Sequence, residues 1–223
     1  MKAVILDLDG LMVDSEPLHQ RAVNQLLKQR GVDYQFETEE YGKCFVGIPV
    51  VENVHYLKAR FGLRGAPQEI IDEREMIYES LISNPANLVV MPGVMRLLDA
   101  MRAQQVPVGV ASGSPRHQVE IVLRGLNLID RFQVIVAGND VPRTKPAPDV
   151  YLRAAQELGI APAQCVAIED SATGVTAAKA AGLRAIAVPN QFTTHQDLSH
   201  ADARVGSLEQ VITLLSPESP LHN

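Results

Sequence analysis

Five short apolar segments, separated by longer amphipathic stretches, constrain the fold of this chain more than any other feature. They cover residues 3–6, 106–111, 132–137, 165–168 and 184–188. Most are rich in Val and Ile and nearly free of charge, which is typical of strands buried on both faces of a sheet. From residue 106 onward they alternate with helical patterns, at residues 115–128, 147–158 and 172–181. This alternation predicts an α/β fold with a Rossmann-like, mostly parallel sheet flanked by helices.

The first and second apolar segments are separated by about a hundred residues, too many for a connection without structure of its own. Helical patterns fill much of this stretch, at residues 16–29, 50–61 and 67–81. The sequence therefore predicts a sheet domain formed by residues 1–14 and 88–216, and an inserted, mainly helical cap domain formed by residues 15–87. Hinges are expected near Asp14-Ser15 and Met91-Pro92-Gly93. A flexible tail is expected at residues 217–223.

Composition excludes several kinds of partner. The 26 acidic residues outnumber the 20 basic ones, so the chain has a net charge of −6 and no broadly basic surface for nucleic acid or an anionic membrane. No apolar segment approaches the ~20 residues that a membrane-spanning helix needs. The two cysteines, Cys44 and Cys165, have neither disulfide-framework nor metal-site spacing. We expect a cytoplasmic protein with reduced thiols that binds neither nucleic acid nor membrane and is a monomer by default.

Polar residues follow four of the apolar segments, at the point where each strand should end. Because the carboxyl ends of parallel strands meet at one edge of a sheet, these residues should lie close together. The edge would then collect four acids, a serine and a lysine: Asp7, Asp9, Ser112, Lys145, Glu169 and Asp170.

Converging carboxylates need a cation. Two unit charges ~4 Å apart interact by ~4 kcal/mol at an effective dielectric near 20, so several acids at one edge would either bind protons or bind a metal. Oxygen ligands without His or Cys favour Mg²⁺, which keeps coordination positions open for water and phosphate oxygens. The predicted cofactor is therefore Mg²⁺, and the predicted partner is a small phosphorylated metabolite.

Asp7 and Asp9 are two residues apart at the end of one strand, a spacing that returns both side chains to the same side. A carboxylate at the first position can attack phosphorus, and one at the second can protonate the leaving oxygen and later deprotonate water. The alternative is that both acids only cap a turn, as Asp often does at strand ends.

Four motifs in this order resemble the haloacid dehalogenase-like (HAD) superfamily, in particular the subfamily of β-phosphoglucomutase and sugar-phosphate phosphatases. They begin at Leu6-Asp7-Leu8-Asp9-Gly10, Ala111-Ser112-Gly113-Ser114, Lys145-Pro146 and Ile168-Glu169-Asp170-Ser171. The resemblance covers essentially the whole chain. It implies a phosphomonoester hydrolase with a movable cap that closes to exclude water and recognise the leaving group.

The same resemblance implies a role for each matching residue. Asp7 would be the nucleophile and a metal ligand, and Asp9 the general acid/base whose backbone carbonyl also reaches the metal. Asp170 would bind Mg²⁺ directly, and Glu169 directly or through water. The transferring phosphoryl group would be held by Ser112, Lys145 and the backbone amides of Leu8, Asp9 and Gly113.

Other assignments stay open at this point. Ser112 could be the N-cap of the helix that follows it, a phosphate ligand, or both; as a hydrolase nucleophile it lacks the elbow pattern and a His partner. His19, Gly47 and Arg116 are candidate substrate contacts, and the alternative for His19 and Arg116 is an ordinary surface position.

An acid at position 9 favours phosphoryl transfer over the carbon–halogen cleavage of the family's original branch. Three functions then remain: a phosphatase, a phosphosugar mutase and a non-catalytic binding module. A mutase needs a cap cation for a second phosphate, but residues 45–51 are apolar where β-phosphoglucomutase has Lys and Arg, although Lys43 or Arg116 could substitute. We therefore favour a phosphatase over a mutase. A non-catalytic binding module is the third alternative, and the intact set of Asp7, Asp9, Lys145 and Asp170 argues against it.

Overall fold

A single parallel sheet forms the centre of the molecule. The structure is a computed structural model that describes residues 1–216, and in this range the sheet has six strands in the order β3-β2-β1-β4-β5-β6. The strands are β1 (Ala3–Leu6), β2 (Val108–Ala111), β3 (Val134–Val136), β4 (Cys165–Glu169), β5 (Arg184–Ala187) and β6 (Ala203–Arg204). All neighbouring strands run parallel, and β1 lies between β2 and β4. Every residue of β1, β2 and β4 is buried, as the continuous apolar segments predict.

Five helices, all later in the chain than residue 93, cover the two faces of the sheet. They are α5 (Val94–Ala103), α6 (Arg116–Gly125), α7 (Asp149–Leu158), α8 (Ala172–Ala180) and α9 (Leu208–Leu214). One hydrophobic cluster on one face includes α5 and α6, and a second on the other face includes α7 and α8. The predicted α/β fold is confirmed.

The long stretch between β1 and α5 is helical. It contains α1 (Glu16–Gln29), α2 (Thr38–Phe45), α3 (Val50–Phe61) and α4 (Pro67–Ile82). An apolar cluster around Phe36 lies among these helices, and the β5–β6 connection contributes Phe192 to it. The two connections between this helical insertion and the sheet run side by side. The amide of Asp14 donates to the Val89 carbonyl, and the amide of Met91 donates to the Met12 carbonyl. The chain therefore enters and leaves the helical insertion at one place.

The sequence predictions differ from the structure at a few short elements. The sequence analysis did not predict α2, α9 or the two-residue strand β6, because segments this short carry too little periodicity. The division into a sheet domain and a separately moving cap stays a prediction, and the predicted flexible tail at residues 217–223 lies outside the described residues. Within residues 1–216, no helix combines the length and apolarity that crossing a bilayer requires.

Candidate active site

Three acids meet at the carboxyl ends of the two central strands. Leu6 of β1 pairs with Ile168 of β4, and the Asp7 amide extends this pairing to the Ile168 carbonyl at 3.1 Å. Asp7 is thereby placed beside Glu169 and Asp170. All three side chains are buried, and one carboxylate oxygen from each lies within 4.8 Å of the others. We call these three residues the acid cluster.

Lys145 is the cation beside the acid cluster. It arrives from the connection between β3 and α7, and its Nζ donates to Asp7 Oδ1 at 2.5 Å and to Glu169 Oε1 at 2.6 Å. The Tyr151 hydroxyl donates to the same Glu169 oxygen at 2.5 Å. Burial alone would lower the pKa of Lys145, but the charges of Asp7 and Glu169 outweigh it and raise that pKa, so the ammonium stays charged.

One lysine does not neutralise three carboxylates. Burial, as the largest cause, raises the pKa of Asp7 to about 8; Lys145 opposes this, and Glu169 and Asp9 add to it. Burial and the charges of Asp7 and Glu169 likewise raise the pKa of Asp170 well above its ordinary value. A buried, oxygen-only set of donors whose ionised form lacks sufficient counter-charge is suited to a hard divalent cation such as Mg²⁺.

Two glycines make the close packing of the acid cluster possible. A Cβ on Gly174 would lie 2.0 Å from the Glu169 carboxylate, and one on Gly10 would lie 2.5 Å from Asp170 Oδ2. Gly10 also has a φ of +79°, which other residues rarely adopt. Both carboxylates therefore occupy space that any other side chain would fill.

Asp9 has a separate set of partners. Its Oδ2 accepts from the Ser114 hydroxyl at 2.8 Å and from the Ser112 hydroxyl at 3.4 Å, whereas its Oδ1 is buried without a hydrogen-bond partner. Ser112 in turn accepts from the Ser114 amide at 3.0 Å. Helix α6 begins after Pro115, so Ser112 is not its N-cap. That alternative from the sequence analysis is wrong, because two residues separate the serine from the N-cap position.

A cavity of about 460 Å³ lies between the helical insertion and this edge of the sheet. Five of the predicted site residues line it from the sheet side: Asp7, Asp9, Gly113, Lys145 and Asp170. The side chains of Leu8, Ser112 and Glu169 are buried behind that wall. Both Asp7 and Asp9 reach the cavity, consistent with their spacing.

The candidate substrate contacts separate into two groups. His19 and Gly47 line the cavity, but Arg116 does not. The Arg116 guanidinium is bonded to the Asp140 carboxylate and, at 2.6 Å, to the Ile135 carbonyl. The structure corrects the prediction for Arg116, because Asp140 follows β3 closely enough to hold this side chain outside the cavity.

His19 is a neutral residue in the cavity wall. It stacks on Tyr78 with ring centroids 3.8 Å apart, and its Nδ1 lies 2.7 Å from Arg74 Nη2. Desolvation, followed by the positive charge of Arg74, lowers the pKa of His19 well below 6.5. Because Arg74 can only donate, Nδ1 is the acceptor, and the proton of the neutral ring is assigned to Nε2.

Several polar residues at the cavity were not predicted. Arg74 and Glu75 of α4 form an ion pair at 2.5 Å, and Gln118 of α6 donates to Glu75 at 2.7 Å. Their local sequence gives no signal, because polar residues on helices usually face water.

Asn190, a neighbour of the acid cluster, was also not predicted, although it follows the carboxyl end of β5 and the rule applied to the other strands would have found it. Its Nδ2 donates to Asp170 Oδ2 at 2.8 Å and to the Gly10 carbonyl at 2.9 Å.

Comparison with known proteins places this geometry in a family. The sequence model of haloacid dehalogenase-like hydrolases matches residues 1–182. The chain belongs to this family. The family and the class of enzyme, a hydrolase, are as the sequence motifs predict.

Relatives within the haloacid dehalogenase-like hydrolases resemble the chain over most of its length. Protein CbbY of Rhodobacter capsulatus is 34% identical, with 99% of each chain covered. Hexitol phosphatase B of Escherichia coli K12 is 37% identical over 84% of this chain and 83% of the relative. The solved structure of a CbbY variant from Rhodobacter sphaeroides, in complex with xylulose-(1,5)bisphosphate, has a TM-score of 0.80 at 29% identity and covers 93% of this chain and 95% of its own.

Proposed function

We propose that the chain is a Mg²⁺-dependent phosphatase that hydrolyses phosphomonoesters of small metabolites, sugar phosphates among them, through an aspartyl-phosphate on Asp7. The observation that carries this proposal is the meeting of Asp7, Lys145 and Asp170 at one wall of the cavity, with Asp9 on the same wall. Hexitol phosphatase B supports the reaction, and the CbbY variant solved with xylulose-(1,5)bisphosphate supports the substrate class.

Asp7 is the nucleophile in this proposal. Its Oδ1 is held by Lys145, which leaves the other carboxylate oxygen to attack phosphorus. Lys145 and the Gly113 amide face the phosphoryl oxygens, and Ser112 supports this wall from behind. Asp7, Asp170 and the Asp9 carbonyl would hold Mg²⁺, which when bound neutralises phosphoryl oxygens and lets Asp7 stay ionised. Glu169 already binds Lys145 and Tyr151 through Oε1, so it would reach the metal through Oε2 or a water.

Asp9 moves the proton in both half-reactions. It protonates the leaving oxygen as the phosphoryl group passes to Asp7, and it then deprotonates the water that hydrolyses the aspartyl-phosphate. The Ser114 and Ser112 hydroxyls donate to its Oδ2 and hold the carboxylate in place at the cavity wall.

Residues 15–87 act as a cap over the phosphoryl group. Their contribution to the cavity includes an apolar run at residues 45–51, together with His19 and the Arg74–Glu75 pair. The leaving group would therefore contact apolar surface, and the neutral Nε2–H of His19 would donate to one of its hydroxyls. We place this enzyme in the cytoplasm, in keeping with the free thiols of Cys44 and Cys165, and keep a monomer as the default.

A phosphosugar mutase is the alternative, and Arg74 is the observation that bears on it. Arg74 is a cap cation at the cavity, as a mutase requires for a second phosphate. However, it is paired with Glu75 and bonded to His19, and its side chain is only 12% exposed. A second phosphate would have to displace Glu75, so we favour the phosphatase.

The test is phosphate release from p-nitrophenyl phosphate by the wild type, by Asp7→Asn and by Asp33→Asn. Asp33 is exposed, so its variant is a matched control for the loss of one carboxylate. We expect Mg²⁺-dependent release by the wild type and the control, none by Asp7→Asn, and none in the presence of chelator. Full activity in chelator would refute the proposal. Conversion of β-glucose 1-phosphate to the 6-phosphate, faster than its hydrolysis, would favour the mutase.

A further inference from the structure

One short loop of the sheet domain contacts the acid cluster and the cap together. Residues 190–196, which we call the bridging loop, follow β5. At its first residue, the Asn190 side chain bonds Asp170 and the Gly10 carbonyl. At its last residue, Gln196 Nε2 donates to the Val46 carbonyl of the cap at 3.2 Å, and Oε1 accepts from the Ala172 amide at 2.8 Å. The carboxamide of Gln196 thus joins the cap to the start of α8, two residues after Asp170.

The bridging loop is held by its own hydrogen bonds. The Asn190 amide donates to Thr193 Oγ1 at 3.0 Å, the Phe192 amide donates to Asn190 Oδ1 at 2.7 Å, and the Gln196 amide donates to the Thr193 carbonyl at 3.0 Å. Thr193 is fully buried. Such a loop has a fixed shape, so it can transmit the position of the acid cluster to the cap.

Apolar packing reinforces the contact with the cap. Phe192 is 3% exposed and belongs to the apolar cluster of the helical insertion. Its ring lies edge-on to Tyr41 at 6.3 Å, and its carbonyl would be 3.5 Å from a Cβ on Gly42. Next to the hydrogen bond, Gly47 has a φ of +79°, and a Cβ there would lie 3.0 Å from Gln196 Nε2. The cap backbone therefore approaches Gln196 closely at a position that requires glycine.

We propose that Gln196, supported by Phe192, is a positioning residue that holds cap residues 45–51 over the acid cluster in the closed enzyme. This inference rests on the proposed phosphatase function for its kinetic consequences, but not for the contact itself. Gln196 touches neither the reacting atoms nor the acid cluster. It acts by fixing the segment that lines the leaving-group side of the cavity.

The test compares Gln196→Met, which keeps the length and loses the carboxamide, with the same change at the exposed Gln191. The first readout is amide hydrogen exchange of residues 45–51 in the metal-free protein. We expect exchange there to become about tenfold faster in Gln196→Met and to stay at the wild-type rate in Gln191→Met, because a lost hydrogen bond raises local opening by roughly this factor. Gln196→Glu should behave like Gln196→Met, since it keeps the acceptor for Ala172 and loses the donor for Val46.

The second readout is kcat/KM for a hexose phosphate and for acetyl phosphate, whose leaving group is too small to need residues 45–51. In Gln196→Met we expect the first to fall about tenfold and the second by less than about twofold. Equal losses for both substrates, or unchanged exchange at residues 45–51, would overturn the proposal. If the wild type releases no phosphate from any ester, the proposed function fails, but the exchange readout still decides the role of Gln196.

Discussion

At the scale of the residue, Glu16 shows how the cavity wall sets a charge state. It lies in the first turn of α1, lines the cavity and is half-buried. Desolvation is the largest cause that raises its pKa, to about 7, and the charge of Asp9 adds to it. Arg74 and the Tyr41 hydroxyl oppose the shift without cancelling it. Glu16 is therefore a carboxyl that changes charge near neutral pH at the point where the chain enters the helical insertion.

In the wild type, Glu16 should lower the free energy of unfolding as the pH rises. We predict that Glu16→Gln removes this decrease. Between pH 4.5 and about 7 the folded protein keeps a proton on Glu16 that the unfolded chain has released, so the free energy of unfolding falls through this range and levels off above it. The loss amounts to about 3 kcal/mol at most. In metal-free protein, the urea midpoint of Glu16→Gln should rise relative to wild type between pH 5 and pH 8. The urea midpoint of Glu52→Gln, a change at an exposed glutamate, should vary with pH as that of the wild type does. If the midpoint of Glu16→Gln also varied with pH in parallel with the wild type, the prediction would be refuted.

Asp9→Asn should separate the two half-reactions of the proposed mechanism. With a good leaving group the first step needs little protonation, so Asp7 should still be phosphorylated, whereas hydrolysis of the aspartyl-phosphate should slow by about 10²–10⁴-fold without a general base. Rapid quenching followed by mass measurement of the intact chain should show accumulated phosphoenzyme. Turnover of Asp9→Asn at the wild-type rate would show that the acid/base role belongs to another residue.

At the scale of the element, what the sequence predicts depends on how local the signal is. The strands β1, β2 and β4 were predictable because a strand buried on both faces must be apolar throughout, and the site residues follow because parallel strands end at one edge. Glu75 and Gln118 were not predictable, because their partner helices α4 and α6 are about 40 residues apart in the chain. The outward position of Arg116 was missed for the same reason: its partner Asp140 comes from another element.

The contact between Glu169 of β4 and Gly174 of α8 predicts the effect of a substitution at Gly174. In a helix interior Gly→Ala normally stabilises by about 1 kcal/mol. Gly174→Ala in α8 should instead destabilise by several times that amount and weaken Mg²⁺ binding, because the new methyl would overlap the Glu169 carboxylate that Lys145 and Tyr151 hold in place. Urea denaturation and Mg²⁺ titration measure the two effects. Gly42→Ala in α2 is the control, since a Cβ there has ordinary contacts, the nearest at 3.5 Å, and no loss of stability is expected.

At the scale of the whole molecule, the acid cluster joins segments that are far apart in the chain. Asp7 follows β1, Lys145 precedes α7, Glu169 ends β4 and Asp170 follows it. Asn190 then extends the network to the bridging loop. Unfolding separates Asp7, Lys145 and Asn190 from Glu169 and Asp170, which stay neighbours in the chain. The repulsion between Asp7 and the other two carboxylates, and the burial of all three, are therefore costs of the folded state, and relieving them stabilises the fold as a whole.

Magnesium should therefore stabilise the entire fold, and Asp170→Asn should abolish the effect. At a Mg²⁺ concentration 100 times the dissociation constant, the free energy of unfolding of the wild type should rise by about 2.7 kcal/mol. Without metal, Asp170→Asn should be more stable than the wild type at neutral pH. Burial and the charges of Asp7 and Glu169 raise the pKa of Asp170, so folding at this pH disfavours its ionised form, whereas an amide carries no charge and its oxygen can still accept from Asn190. Urea denaturation with chelator and with Mg²⁺ gives both comparisons, and Asp33→Asn should gain as much from Mg²⁺ as the wild type. If Mg²⁺ raised the free energy of unfolding of Asp170→Asn as much as that of the wild type, the metal would bind at another site. Mg²⁺ stabilises the fold only by binding a site that exists in the folded state and not in the unfolded chain.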